Sequence, residues 1–276
     1  MRNIKLIYDN NATWEKDYIL ELFSNVNCDI IYIESGKLNY ELEKEHNIIN
    51  NNIFVFSSNS YTYKEILNVV LRIRPKIIVH LSDEYGDRGE YTHLASHTKL
   101  LLHQHHFNHY PYNNYNNIIQ IPLGYMTGMF DGKKALDYKT KPLLDRKYKW
   151  SFIGAIKQDR QKLINNFSKK FKENFVGNNM LPSEMRNIYN NSIFVPNGKG
   201  NVVIDCFRIY EAILSGSIPI IVCDKSEFNE RFYFNNDIPP FIYEKKWSKA
   251  STKCKQLLNN EEKLKKVAKK NYRWLK

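Results

Sequence analysis

The chain has 276 residues, 42% of them hydrophobic and 25% charged, so it is an ordinary globular chain long enough for two modest domains, not a disordered or fibrous one. Its formal net charge is +12, part of it local because residues 263–276 are strongly basic, and such a balance admits nucleic acid, an anionic membrane or a phosphorylated ligand as partners. Cys28, Cys206, Cys223 and Cys254 lie far apart without a CxxC pair, which excludes a zinc ribbon or a disulfide framework, and no apolar run approaches the ~20 residues of a membrane span.

Short apolar runs alternate with amphipathic stretches of helical length. Residues 4–8 are predicted as a strand, 14–24 as a helix, and 29–33 and 53–56 as strands. A helix over 61–74 stops before Pro75, and the apolar run 76–81 (KIIVHL) is a strand, followed by strands at 100–103 and 118–121. Residues 125–149, rich in Gly, Lys, Asp and Pro, carry no period and are read as an inter-lobe connection. The alternation then restarts: strand 150–153, helix 158–172, strand 174–176, helix 183–189 with Ser183 as N-cap, strand 193–195, helix 203–214, strand 218–222, and helices 247–258 and 262–275. Unbroken apolar strands separated by helices predict parallel sheets covered on both faces. Two such units predict two Rossmann-like lobes facing a cleft. The expected domains are 1–135 (acceptor side), 150–258 (nucleotide-sugar side), and a last helix, 259–276, that crosses back to the first lobe. Each of the four cysteines reads as a small buried hydrophobe.

The most informative segment is SIFVPNGKGNVVIDCFRIYEAILSGSIPIIV, which reads as strand, glycine loop, helix, small-residue turn and strand. Gly198 and Gly200 let backbone approach a ligand, with Lys199 between them. The loop feeds a helix N-terminus, where free N–H groups and the dipole favour phosphate. Arg208 and Glu211, three apart, share a helix face. An arginine fork suits a diphosphate, and a glutamate can accept from ribose hydroxyls. Together they describe a nucleotide sugar; the plainer alternative is a surface i, i+3 pair on a core helix after an ordinary turn.

Pro196, Gly198, Gly200, Asp205, Arg208, Glu211, Gly216, Ser217, Ile218 and Pro219 resemble the C-terminal signature of exostosin-type (family 47) glycosyltransferases. Phe152, Ile153 and Gly154 followed by Arg160 resemble that family's Phe-x-Gly and Arg, and the run from His80 to Glu84 is similar to a segment of its ribitol xylosyltransferase branch. The resemblance spans about 70 residues. It implies a GT-B fold, a UDP-sugar donor, and inversion at the anomeric carbon without an obligatory metal. On this basis Gly154, Arg160, Asn197, Gly198, Lys199, Gly200, Asp205, Arg208 and Glu211 are the donor-binding candidates. The chain departs from the family at Cys206, where Ser or Thr is common, and at Asn197, where Arg is common; Lys199 can replace that charge.

Inversion needs a base for the acceptor hydroxyl. Asp83 or Glu84, directly after the 76–81 strand, is the candidate, with Glu84 preferred. Arg88, His80 and His105 are candidates for the acceptor side. Seven of the eight histidines fall between His80 and His109. They lack a zinc spacing, and Phe107, Tyr110, Tyr112 and Tyr115 around them fit a sugar-binding wall. No D-x-D, P-loop, G-x-S-x-G or H-E-x-x-H motif occurs. The reading is therefore an inverting glycosyltransferase in the cytoplasm, with a glycan or other hydroxyl acceptor, no nucleic acid partner expected, no transmembrane segment, and peripheral membrane contact available to the basic last helix. The alternative is a catalytically silent carbohydrate- or nucleotide-binding protein.

Overall fold

In the computed structural model, which describes residues 4–33, 44, 48–50 and 52–276, the contacts divide the chain into two units. The first holds residues up to Pro122 together with Tyr233–Asn236; the second holds Leu123–Phe232 and Asp237–Lys276.

In the first unit, strands β1 (Ile4–Asp9), β2 (Cys28–Ile33), β3 (Asn52–Ser57), β4 (Ile77–Leu81), β5 (Leu100–His103) and β6 (Ile118–Gln120) form one parallel sheet in the order β2-β1-β3-β4-β5-β6. Successive side chains point to opposite faces. Ile7, Phe54, Phe56, Ile78 and Leu101 therefore meet helix α2 (Tyr63–Ile73) on one face, through Ile66, Val69, Val70 and Ile73. Leu6, Tyr8, Ile53, Val55, Val79 and Leu102 cover the other face with Ile19 of α1 (Lys16–Leu22). Thr62 and Glu65 close a capping box on α2, which ends on Arg74 in the left-handed region. Tyr233–Asn236 belong here because Tyr233 stacks on His106, 4.6 Å between centroids, and Phe234 N donates to Gln120 Oε1 at 2.8 Å.

In the second unit, β7 (Tyr148–Ile153), β8 (Asn174–Gly177), β9 (Ser192–Asn197), β10 (Ile218–Val222) and β11 (Ile242–Glu244) form a parallel sheet in the order β11-β10-β9-β7-β8. The helices are α3 (Arg160–Lys170), α4 (Pro182–Asn190), α5 (Phe207–Leu214), α6 (Lys225–Arg231), α7 (Trp247–Leu258) and α8 (Glu261–Leu275). Trp150, Phe152, Phe194, Ile218 and Ile220 are buried under Leu163 and Phe167 of α3, Ala250, Cys254 and Leu257 of α7, and Leu264 of α8. Burying each large apolar side chain stabilises the unit by roughly 1.5–3 kcal/mol.

Several expectations need correction. Residues 125–149 are not a bare connection: Tyr125, Met129, Phe130 and Ala135 are buried, and the segment lies within the second unit. The first unit's continuous part thus ends at Pro122, before the expected boundary at 135. The last helix packs its Leu264 into the second unit's own core, and Tyr272 Oη donates to Leu136 O at 3.1 Å. Ser183 is not an N-cap, because α4 starts at Pro182, whose fixed φ suits the first helical turn. The helix read at 203–214 begins only at Phe207. Val203 O and Ile204 O, which its first turn would use, accept instead from Gly200 N (2.7 Å) and Asn197 Nδ2 (2.9 Å). Cys28 and Cys206 are half-buried; Cys223 and Cys254 are buried.

Candidate functional site

Open parallel sheets bind ligands beyond the carboxyl ends of their strands, where the strand order reverses. In the second unit that point lies between β7 and β9. β7 runs into Gly154, with φ +144°; a Cβ there would lie 3.0 Å from Arg208 Nη2 and 3.6 Å from Arg160 Nη1. Glycine thus lets two guanidinium groups crowd the strand end, and both lie over the Phe152 ring, at 5.8 Å for Arg160 and 5.0 Å for Arg208. Arg160 donates Nε and Nη2 to Lys199 O (3.0 and 2.5 Å) and Nη1 to Ala155 O (2.8 Å). Arg208 donates Nε to Ile153 O (3.1 Å) and Nη1 to Asn197 Oδ1 (2.9 Å), which also accepts from Cys206 Sγ at 2.8 Å.

The loop after β9 is held from behind. A Cβ at Gly198 would stand 2.7 Å from Arg160 Cγ, so only glycine passes. Asp159 accepts from Lys199 N on Oδ1 (3.2 Å) and from Trp247 Nε1 on Oδ2 (2.9 Å), tying the loop to the start of α7. Lys199 reaches Glu227 at 3.1 Å and lines a depression of about 450 Å³ with Asp159, Lys162, Asp224 and Trp247.

The predicted donor residues therefore divide. Gly154, Arg160, Asn197, Gly198, Lys199 and Arg208 come together. Gly200 braces the loop through its bond to Val203 O, and Asp205 is buried, accepting from Tyr210 Oη at 2.7 Å. Glu211 is buried on α5 and forms no ion pair with Arg208; its Oε1 accepts from Met126 N at 3.2 Å, and Oε2 has no hydrogen-bond partner among the described residues. Burial raises its carboxyl to about 7, against the Met126 N–H and Arg208, which lower it.

In the first unit the chain leaves β4 through Ser82, at φ +69°, whose N donates to Gln104 Oε1 (3.2 Å). Asp83 follows, buried. Its Oδ2 accepts from Tyr110 Oη at 2.6 Å, and Oδ1 has no hydrogen-bond partner among the described residues. Burial raises the carboxyl to about 6, and the Tyr110 hydrogen bond opposes that rise. Tyr110 Oη in turn accepts from Arg88 N at 2.8 Å. Gly86 and Gly89 make room for these rings, since a Cβ would come within 2.3 Å of Phe107 and 2.9 Å of Tyr110.

Glu84 is half-buried, and Arg88 Nε faces Asp87 at 3.4 Å. Of the two acids, Asp83 is thus the more deeply buried. His80 is a core residue, stacked against Phe56 (5.1 Å) and Tyr91 (4.8 Å), and burial pushes it down to about 3 so that it stays neutral. His105 is buried, with backbone φ +57°. Among the described residues no three His, Cys, Asp or Glu side chains converge as a metal site. His103 and His106 instead each stack with Tyr112, at 5.0 and 4.5 Å between centroids.

Sequence reasoning missed Asp159, Trp247, Tyr110 as a partner of Asp83, and Arg146. Arg146 is buried with no carboxylate partner among the described residues, donating to Lys141 O (2.7 Å), Ser192 O (2.8 Å), Ser217 Oγ (3.1 Å) and Ser215 O (3.3 Å). Burial lowers it to about 10. The available signal was Gly216, at φ +76°, where a Cβ would lie 2.5 Å from Arg146 Nη2. No described helix is long and apolar enough to cross a membrane.

No family model matches the chain, and no curated protein does. Solved structures do. An alpha-glucosyltransferase in complex with UDP-glucose and DNA containing an abasic site aligns over 99% of this chain and 94% of its own, at 11% identity and a TM-score of 0.59. HepE of Anabaena, in complex with UDP and glucose, aligns over 98% and 94%, at 9% identity and a TM-score of 0.54. MnaA of S. aureus, in a co-structure with UDP, aligns over 99% and 92%, at 11% identity and a TM-score of 0.50. The likeness is one of fold: this is an α/β chain of the GT-B class, with two Rossmann-like parallel sheets.

Proposed function

We propose that the protein is a glycosyltransferase that draws a sugar from a UDP-sugar and passes it to a hydroxyl of a glycan or other acceptor. The observation that carries this reading is the glycine loop after β9, which Arg160, Arg208 and Asp159 hold at the switch point of the second sheet. Solved structures that share the fold hold UDP or UDP-glucose.

Arg160 has turned its donors onto backbone carbonyls, so it supports the loop. Arg208 and Lys199 are the cations for the diphosphate, which in this reading needs no metal. Glu211, whose buried Oε2 has no hydrogen-bond partner among the described residues, serves the ribose hydroxyls. Asp83 is the base, and transfer proceeds with inversion: its Oδ1 takes the acceptor proton as the hydroxyl oxygen bonds to the anomeric carbon and the UDP oxygen leaves with the electron pair. The exostosin-type segment from Pro196 to Pro219 is the donor loop of this reading.

Titration calorimetry with UDP in the presence of EDTA tests the donor side. The parent is expected to bind and Arg208→Ala to lose at least about tenfold in affinity, as for a charged hydrogen bond worth ~1.5–3 kcal/mol. Equal affinity in the variant refutes the site. Proton NMR of the product tests the stereochemistry, and an anomeric configuration unchanged from the donor refutes inversion.

A further inference from the structure

Residues 245–276 hold twelve Lys or Arg and two Glu, so +10 of the chain's net +12 sits in this one stretch, which spans α7 and α8. On α7 the buried stripe is Trp247, Ala250, Ser251, Cys254 and Leu257. Lys249, Lys253 and Gln256 recur at helical spacing on another face, continuing from Lys245.

That face is concave. The depression of about 450 Å³ beside Lys199 shares Lys245 with a second of about 480 Å³, and the second shares Glu244, Lys249 and Lys253 with a third of about 460 Å³. Lys199 and Lys253 are paired with Glu227 and Glu244. Lys162, Lys245, Lys246 and Lys249 have no carboxylate within 4.0 Å among the described residues.

A bilayer presents a plane and would meet the convex parts of this surface, whereas a single strand can follow a furrow. The basic helix α8 also lacks an apolar face to insert, because Leu264 is spent on the protein's own core. The cations of the furrow are all lysines, point charges without a bidentate fork. Phe241 and Trp247 along it are buried, and the one half-buried ring, Tyr243, is already stacked on Phe228 at 4.3 Å between centroids, so the lysines are its main means of holding a strand.

We propose that this furrow is a track for a linear phosphodiester polyanion, held through its phosphates by Lys162, Lys245, Lys246 and Lys249. The furrow begins in the depression that Lys199 of the proposed donor site also lines, but Lys245 and Lys249 have no part in that site, so substitutions there test this inference apart from the donor reading.

Fluorescence anisotropy with a labelled oligothymidylate tests it. Four phosphate contacts on a single strand give a log–log salt slope of about −2.8, a loss of about fifty-fold in affinity between about 50 and 200 mM salt. Lys245→Glu with Lys249→Glu is expected to weaken binding at least about tenfold at 50 mM salt and to flatten the slope by about 1.4. Lys266→Glu with Lys270→Glu, the same charge change on exposed positions of α8, is expected to leave the affinity within about threefold. A Lys245→Gln, Lys249→Gln pair gives the same flattened slope with a milder change of surface charge. No binding at 50 mM salt overturns the proposal, as does equal loss in the α7 and α8 variants. Binding to phosphatidylglycerol vesicles without binding to the oligonucleotide assigns the charge to a membrane surface and overturns it too.

Discussion

Asp83, the proposed base, is buried in a way that should weaken the fold, and Asp83→Asn measures the cost. The folded protein holds this carboxyl at about 6 against an ordinary value of 3.8. A raised carboxyl binds its proton more tightly folded than unfolded. Between those two values the unfolded chain therefore holds fewer protons, and stability falls as pH rises through about 4 to 6, then levels off. At about 1.36 kcal/mol per pH unit the full penalty is about 3 kcal/mol, of which about 2.5 kcal/mol develops between pH 4 and pH 8. Asn keeps the Tyr110 hydrogen bond and buries an amide where Oδ1 lies, a pH-independent cost of about 1 kcal/mol. Urea unfolding of parent and variant by far-UV circular dichroism at pH 4, 6 and 8 reads the difference directly. The variant is expected to be slightly the weaker at pH 4 and the stronger, by about 2 kcal/mol, at pH 8. It should also bind UDP normally and transfer no sugar. A difference that does not change with pH refutes the reasoning about Asp83, whatever its role in transfer.

Two further outcomes follow from the same geometry. Tyr110→Phe removes the hydrogen bond that opposes the rise at Asp83, so the acid limb of the transfer rate–pH profile should move up by about one pH unit while the UDP affinity stays put; an unmoved limb detaches Tyr110 from the base. Arg146→Met strands the carbonyls of Lys141 and Ser215 and should destabilise the protein by about 3 kcal/mol in urea unfolding, with less than about 1 kcal/mol refuting its role as a buried tie.

Much of this architecture is legible in the chain because its signals are local. A parallel strand covered on both faces must be a continuous apolar run, and the runs at 100–103 and 218–222 coincide with β5 and β10 residue for residue, as 247–258 does with α7. The glycines at 154 and 198 are visible in the sequence, but the arginines that a Cβ there would meet, Arg208 and Arg160, are far off in the chain. The different surroundings of Asp83 and Glu84 are not legible that way. Neighbours in sequence, they differ only in what lies around them, and Tyr110, which fixes Asp83, is 27 residues downstream. The start of α5 shows the same limit: the 203–206 stretch runs on from the helix in sequence, but Asn197 and Gly200 capture the carbonyls its first turn would need. Arg146 reads as one more surface charge until Ser192, Ser215 and Ser217 close over it. Pattern decides which residues are strand, helix or loop because side-chain period and backbone sterics act within a few residues. Desolvation and hydrogen bonding between distant segments decide which acid keeps its proton and which cation is buried, and those exist only once the chain has folded.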